Sequence, residues 1–146
     1  MRVRIFDKPF SPYELLAQYE QSVPALAGKA GAAANFIGTM RDNNENDTVT
    51  SMTLDYYPEM TEKHLARIIS RAESNWALLD ALIAHRVGEL FPGDPIVLVA
   101  VWSKHRKDAF EACRFIMEDL KSEAPFWKKE KLVDGERWVA KNTPGF

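Results

Sequence analysis

Two stretches of this chain carry apolar residues at helical spacing and are set among runs that alternate like strands. That contrast limits the possible folds more than any other feature. Within Pro58–Trp76, Leu65, Ile68, Ile69, Ala72 and Trp76 fall on one face at a 3.6-residue period. Within Ser103–Leu120, Ala109, Phe110, Cys113, Ile116, Met117 and Leu120 form a second stripe, and Pro125 ends that helix. A shorter helix begins at Ser11-Pro12: the serine caps it, the proline takes the first position and Glu14 sits in the first turn. It fades by Ser22-Val23-Pro24.

The remaining segments read as strands and turns. Residues 2–6 alternate, and Val49–Tyr57 alternates as Val49, Ser51, Thr53 against Met52, Leu54, Tyr56. Ala30–Met40 is small and apolar and reads as a buried strand, with Gly38 placed where another backbone can approach closely. Ala81–Leu90 and Pro95–Trp102 flank the turn Phe91-Pro-Gly-Asp94, which predicts a hairpin. Phe126–Val133 and Glu136–Val139 flank Asp134-Gly135, a second hairpin signal. Arg41–Asp47 is a polar loop. Together these predict an α+β domain: a largely antiparallel sheet, two long packed helices and a short N-terminal helix.

The chain has 146 residues, enough for one domain with a real core, and the expectation is a single domain over 1–146 with 142–146 as a mobile tail. Apolar residues make up 46% and the net charge is −2, which argues against bulk nucleic-acid binding, so any anion site must cluster a few of the 19 Lys and Arg. No run approaches 18 apolar residues, and the N-terminus lacks the apolar core of a signal peptide. The one cysteine, Cys113, cannot form an internal disulfide, so the expected compartment is reducing and cytoplasmic. Its place on an apolar stripe reads as core rather than nucleophile. Three histidines and one cysteine are scattered without ligand spacing, which predicts no metal and no cofactor.

The richest chemistry lies in Lys121-Ser-Glu-Ala-Pro-Phe-Trp-Lys128-Lys-Glu130. Two lysines seven residues apart bracket a proline and two rings, Phe126 and Trp127. Such an arrangement can bring two ammonium groups to one wall of a pocket floored by aromatic rings. Each ammonium would lower the other's pKa, as would burial, and a lysine so tuned can bind an anion or move a proton. The competing reading is two solvated lysines with their stems on the rings.

Three further groups offer weaker signals. Ser103-Lys104-His105-Arg106 puts cations at a helix N-terminus, against the helix dipole, which a bound phosphate or the nearby Asp108 and Glu111 would offset. Gly38-Thr-Met-Arg41-Asp-Asn-Asn44 can grip an oxyanion through the forked guanidinium, or is simply a surface turn. His85 and Arg86, adjacent on a strand, must face opposite sides of it, so one of them reads as structural. On these residues alone a small phosphohydrolase using Arg41 and Asn43 stays open, although no obvious nucleophile accompanies them. So does a non-catalytic interaction module.

Several segments occur in an order that resembles one family. They are Phe36-Ile-Gly-Thr-Met-Arg41-Asp-Asn-Asn, Leu54-Asp-Tyr-Tyr-Pro-Glu-Met60, His85-Arg-Val-Gly-Glu-Leu90, His105-Arg106, the run from Lys121 through Ala-Pro-Phe-Trp-Lys128-Lys-Glu130, and Arg137-Trp-Val139. This set is similar to the large, catalytic subunit of molybdopterin synthase from about residue 3 to residue 140. The resemblance implies a sulfurtransferase that works as a homodimer within a heterotetramer. Each large subunit takes a ubiquitin-like sulfur-carrier small subunit, whose C-terminal Gly-Gly thiocarboxylate enters the pocket. Two sulfurs pass in turn to cyclic pyranopterin monophosphate, giving the dithiolene of molybdopterin.

By position, the resemblance makes Lys121 and Lys128 the catalytic lysines. Lys121, Phe126 and Trp127 would meet the carrier's tail, and Arg41 and Lys128 would hold the substrate. His105 and Arg106 would reach the substrate's phosphate from the neighbouring subunit. Two departures stand out: Asn44-Glu-Asn-Asp47 lacks a glycine common at that loop, and the chain ends soon after Trp138-Val139, with Lys141 as the basic residue there.

Overall fold

A computed structural model describes residues 2–123, 126–133 and 135–139. The helix-stopping Pro125, Asp134 of the second hairpin turn, Lys141 and the 142–146 tail lie outside the described residues.

The strands form two sheets. In the first, β1 (Val3–Phe6), β5 (Leu78–Arg86), β7 (Pro95–Ser103) and β2 (Ala32–Thr39) lie in the order β1-β5-β7-β2. The β1–β5 pair is parallel and the other pairs are antiparallel. In the second, β3 (Asn43–Asn44), β4 (Asp47–Tyr56), β8 (Phe126–Leu132) and β9 (Gly135–Trp138) run antiparallel, and β6 (Gly88–Leu90) pairs with the free side of β4. Among the described residues the α-helices are α1 (Pro12–Ser22), α2 (Pro58–Asn75) and α3 (Arg106–Glu123). This is the expected α+β architecture.

Helix α1 starts as its sequence predicts: Ser11 Oγ accepts from the Glu14 N–H at 3.3 Å, and Pro12 holds the first position. The central strands β5 and β7 are apolar on both faces because helices cover both. Ala81, Ile83, Val97, Val99 and Val101 pack under α2 and α3, while Leu82, Ala84, Leu98, Ala100 and Trp102 pack under α1. A third cluster, Met40, Val49, Met52, Leu54 and Leu90, lies under the second sheet. Cys113 is buried in the core, as expected.

Four expectations are corrected. The Ala81–Leu90 run is not one strand: after Arg86 the chain turns at Gly88, which takes φ 87°, and β6 joins the second sheet. Ala30–Met40 is not a buried strand, because β2 is the edge of its sheet and Phe36 is 43% exposed. Ser103 ends β7 rather than opening α3, and its hydroxyl donates to the His105 carbonyl at 2.6 Å. Phe110 is exposed rather than core, since the buried stripe runs Ala109, Ala112, Cys113, Ile116, Met117, Leu120 and Phe110 lies to one side of it.

The glycine-less loop has a definite shape. Asn44 pairs with Asp47, and the two residues between, Glu45 and Asn46, both take left-handed φ of 53° and 67°. This is the two-residue hairpin turn with both central residues at positive φ, here built without glycine.

Candidate active site

Strands β2, β4, β5, β7 and β8 and helix α3 converge on one cavity of about 350 Å³. Edge strand β2 delivers Phe36 and, just past a register shift at Gly38/Thr39, Arg41. At Gly38 a Cβ would come within 2.9 Å of Val97 Cγ1 and 3.2 Å of the Phe36 ring, so the close neighbours there are side chains rather than the backbone that the sequence suggests. Helix α3 contributes Met117, Leu120 and, in its last turn, Lys121. Strand β8 contributes Phe126 and Lys128 opposite Leu54 of β4, and His85 comes from β5. An annex of about 90 Å³ shares Arg41, Lys121 and Lys128 and adds Asn43, Asn44 and Glu130.

The pocket is therefore cationic with an apolar floor. Burial lowers the pKa of Lys121 first, and the charges of Lys128 and Arg41 lower it further against an opposing pull from Glu118. Much of the Lys121 residue is exposed, so the crowding is at its tip. Burial likewise leads the lowering of Lys128; Arg41 adds to it and Glu130 opposes it. Both effects favour the neutral amines; the lowering of one lysine by the other acts on Lys121, while Arg41 is the cation that acts on Lys128.

Strand alternation decides which β8 side chains enter. Phe126, Lys128 and Glu130 point inward, paired with Tyr56, Leu54 and Met52. Trp127 falls on the opposite face, where it meets Tyr57 edge-on at 4.9 Å, and does not line the cavity. The inner ring, Phe126, stacks on His85 at 3.9 Å instead.

Glu130 anchors the wall beneath Lys128. It is 4% exposed and accepts from Asn44 Nδ2 and from Arg137 Nε at 3.0 Å. Arg137 also donates to Asp47 and to the Asn44 carbonyl. This network ties the tight β3–β4 turn to β8 and β9, and so sets where Asn43 and Asn44 meet the annex. Sequence reasoning placed Glu130 and Arg137 in motifs but gave them no role, because their pairing spans two strands and a loop. His85 was also missed as a pocket residue; its only signal was a histidine closing an apolar strand.

His105 and Arg106 are not part of this pocket within one chain. Both are exposed at the N-terminal end of α3, and 15 residues of helix set Arg106 about 22 Å from Lys121 along the axis. Arg86 faces away from His85, donates Nη2 to the Glu89 carbonyl at 2.8 Å and braces β6.

Residues 5–123 match the family model described as MoaE protein. The chain belongs to the MoaE family. The "Molybdopterin synthase catalytic subunit" of Ralstonia nicotianae is 61% identical over 109 residues, which is 75% of this chain but only 62% of that protein. Among solved structures, molybdopterin synthase from Staphylococcus aureus superposes with a TM-score of 0.85 at 31% identity, covering 96% of this chain and 98% of that one. A chain from the protein–protein complex of subunits 1 and 2 of molybdopterin-converting factor from Helicobacter pylori shares the fold, with a TM-score of 0.80 at 23% identity over 98% and 93% of the two chains. MoaE membership places this chain in molybdopterin biosynthesis, with the function of a molybdopterin synthase catalytic subunit.

Proposed function

We propose that this MoaE-family pocket transfers sulfur, twice in turn, from the C-terminal thiocarboxylate of a ubiquitin-like small subunit to cyclic pyranopterin monophosphate, forming the dithiolene of molybdopterin. The observation that carries the reading is the meeting of Lys121, Lys128 and Arg41 in one partly enclosed cavity with both lysines biased toward the neutral form. A thiocarboxylate and a phosphate are both anions, and three cations in a low-dielectric site suit them. The lysines would neutralise the sulfur donor and the charge that develops on the substrate, and a neutral amine can take a proton that the resulting ammonium then gives back.

Arg41 would hold the phosphate and so fix the reacting carbons. His105 and Arg106 would complete the phosphate site from the neighbouring copy of a homodimer, since their own chain carries them away from the pocket. The small-subunit partner is supported by the Helicobacter pylori protein of the same fold, which was solved in complex as one of subunits 1 and 2 of molybdopterin-converting factor. A cytoplasmic setting suits the lone, buried Cys113, which a reducing compartment leaves as a thiol.

The test is reconstitution. The protein is mixed with a thiocarboxylated carrier and cyclic pyranopterin monophosphate, and product is read by the fluorescence of its oxidised form. Product that vanishes in Lys121→Ala supports the assignment. A folded Lys121→Ala protein with full activity sinks it.

A further inference from the structure

His85 is a pocket residue with no role in the reading above. It closes β5 on the side facing α3, is 5% exposed, and stacks on Phe126 with the rings 14° apart. Its Nδ1 lies 2.8 Å from the Arg86 carbonyl oxygen. A carbonyl oxygen only accepts, so Nδ1 must carry the ring hydrogen. Burial pushes the imidazole pKa down to about 4, aided by the charge of Lys121, so the ring is neutral near pH 7. Nε2 is then a lone pair. It makes no hydrogen bond to any described residue, and its ring lines the cavity.

The other charged side chains on the cavity wall are Arg41, Lys121 and Lys128, all donors. The acids nearby lie elsewhere: Glu130 in the annex, bonded to Asn44 and Arg137, and Glu118 one turn back on α3. A ligand held only by those cations would be read only at its anionic end. A neutral acceptor locked in one tautomer reads a different part of the molecule.

We propose that His85 Nε2 is a fixed hydrogen-bond acceptor in this pocket, receiving an N–H or O–H of the bound substrate while Arg41 and the two lysines take its anionic group. This rests on the sulfur-transfer reading and specifies it: the substrate must carry a donor edge as well as a phosphate, and analogues lacking the donor are rejected because the acceptor is left unpaired.

The experiment pairs nitrogen NMR of histidine-labelled protein with kinetics. The free protein should show His85 as the Nδ1–H tautomer across neutral pH. Adding cyclic pyranopterin monophosphate without the carrier should move the Nε2 resonance toward the hydrogen-bonded range. His85→Phe, which keeps a ring to stack on Phe126, should raise the substrate KM about tenfold at carrier affinity and melting temperature unchanged near neutral pH. His85→Gln, with a carbonyl near the position of Nε2, should recover part of that loss. An Nε2–H tautomer, an Nε2 resonance unmoved by bound substrate, or a His85→Phe enzyme with normal KM and kcat overturns this inference alone. Wild-type protein that does not bind the substrate overturns the sulfur-transfer reading with it.

Discussion

At its C-terminal end α3 delivers Lys121 into a cavity shared with Lys128 and Arg41, whereas at its N-terminal end His105 and Arg106 stand exposed on the surface. Both ends carry basic side chains on the same helix. Only the first has a second sheet folded over it, so only there do burial and like charges push an ammonium toward its neutral form. The exposed pair sits in water at the positive end of the helix dipole, where an anion is welcome. The difference is one of surroundings, and under the proposed function the two ends do different work: chemistry at the enclosed end, anion capture at the open one.

The hardest test of that contrast is removal of the enclosed amine. Lys121→Ala should lower product formation at least a hundredfold while the circular dichroism spectrum and melting temperature stay near wild type. The open end should behave otherwise. Arg106→Ala should raise half-saturation for the substrate roughly tenfold at little cost in maximal rate. If the open end serves a neighbouring copy, mixing inactive Lys121→Ala with Arg106→Ala and assaying well below half-saturation, where Arg106→Ala alone is weak, should give about a quarter of wild-type activity, because half the dimers are mixed and each holds one intact site. No restoration would confine Arg106 to its own chain and break the comparison.

Acid stability sharpens the enclosed side. The folded pKa of His85, about 4, lies below its ordinary 6.5. Between those values the unfolded chain binds a proton that the folded chain does not, so stability present above pH 6.5 is lost as pH falls toward 4. The full loss from this one group is on the order of 3 kcal/mol. His85→Phe should flatten that part of the melting-temperature profile; an unchanged slope would mean the ring is not held neutral.

The smallest effect belongs to the turn beside the annex. Glu45 and Asn46 sit at left-handed φ without glycine, and Asn46→Gly should raise stability by about 1 kcal/mol in chemical denaturation. A loss instead would mean that the Arg137 network depends on the asparagine.

Much of the fold was legible because its signals are local. The Ser11 cap, Pro12 and the 3.6-residue stripes of α2 and α3 each lie within a few turns of chain, and those helices form where the periodicity predicts. Phe110 was misread because one residue's rotation on a helix separates core from surface. The candidate site was legible in part. Lys121, Lys128, Arg41 and Phe126 do share a cavity. Trp127 was placed with them by adjacency in sequence, yet one step along a strand reverses the face. His85 and the Glu130–Arg137 pair depend on which strands become neighbours, and no local pattern carries that.

By itself the sequence determined the α+β class, the three helices, most strand positions and the set of cations available for anion chemistry, since propensity, capping and periodicity act over a few residues. Only the tertiary structure decided that β2 would be an edge, that the chain would leave the first sheet at Gly88, and that Lys121 and Lys128 would meet over a neutral histidine rather than over two rings. Those outcomes depend on contacts between segments distant in sequence, and burial, which tunes each charge, exists only once those segments have packed together.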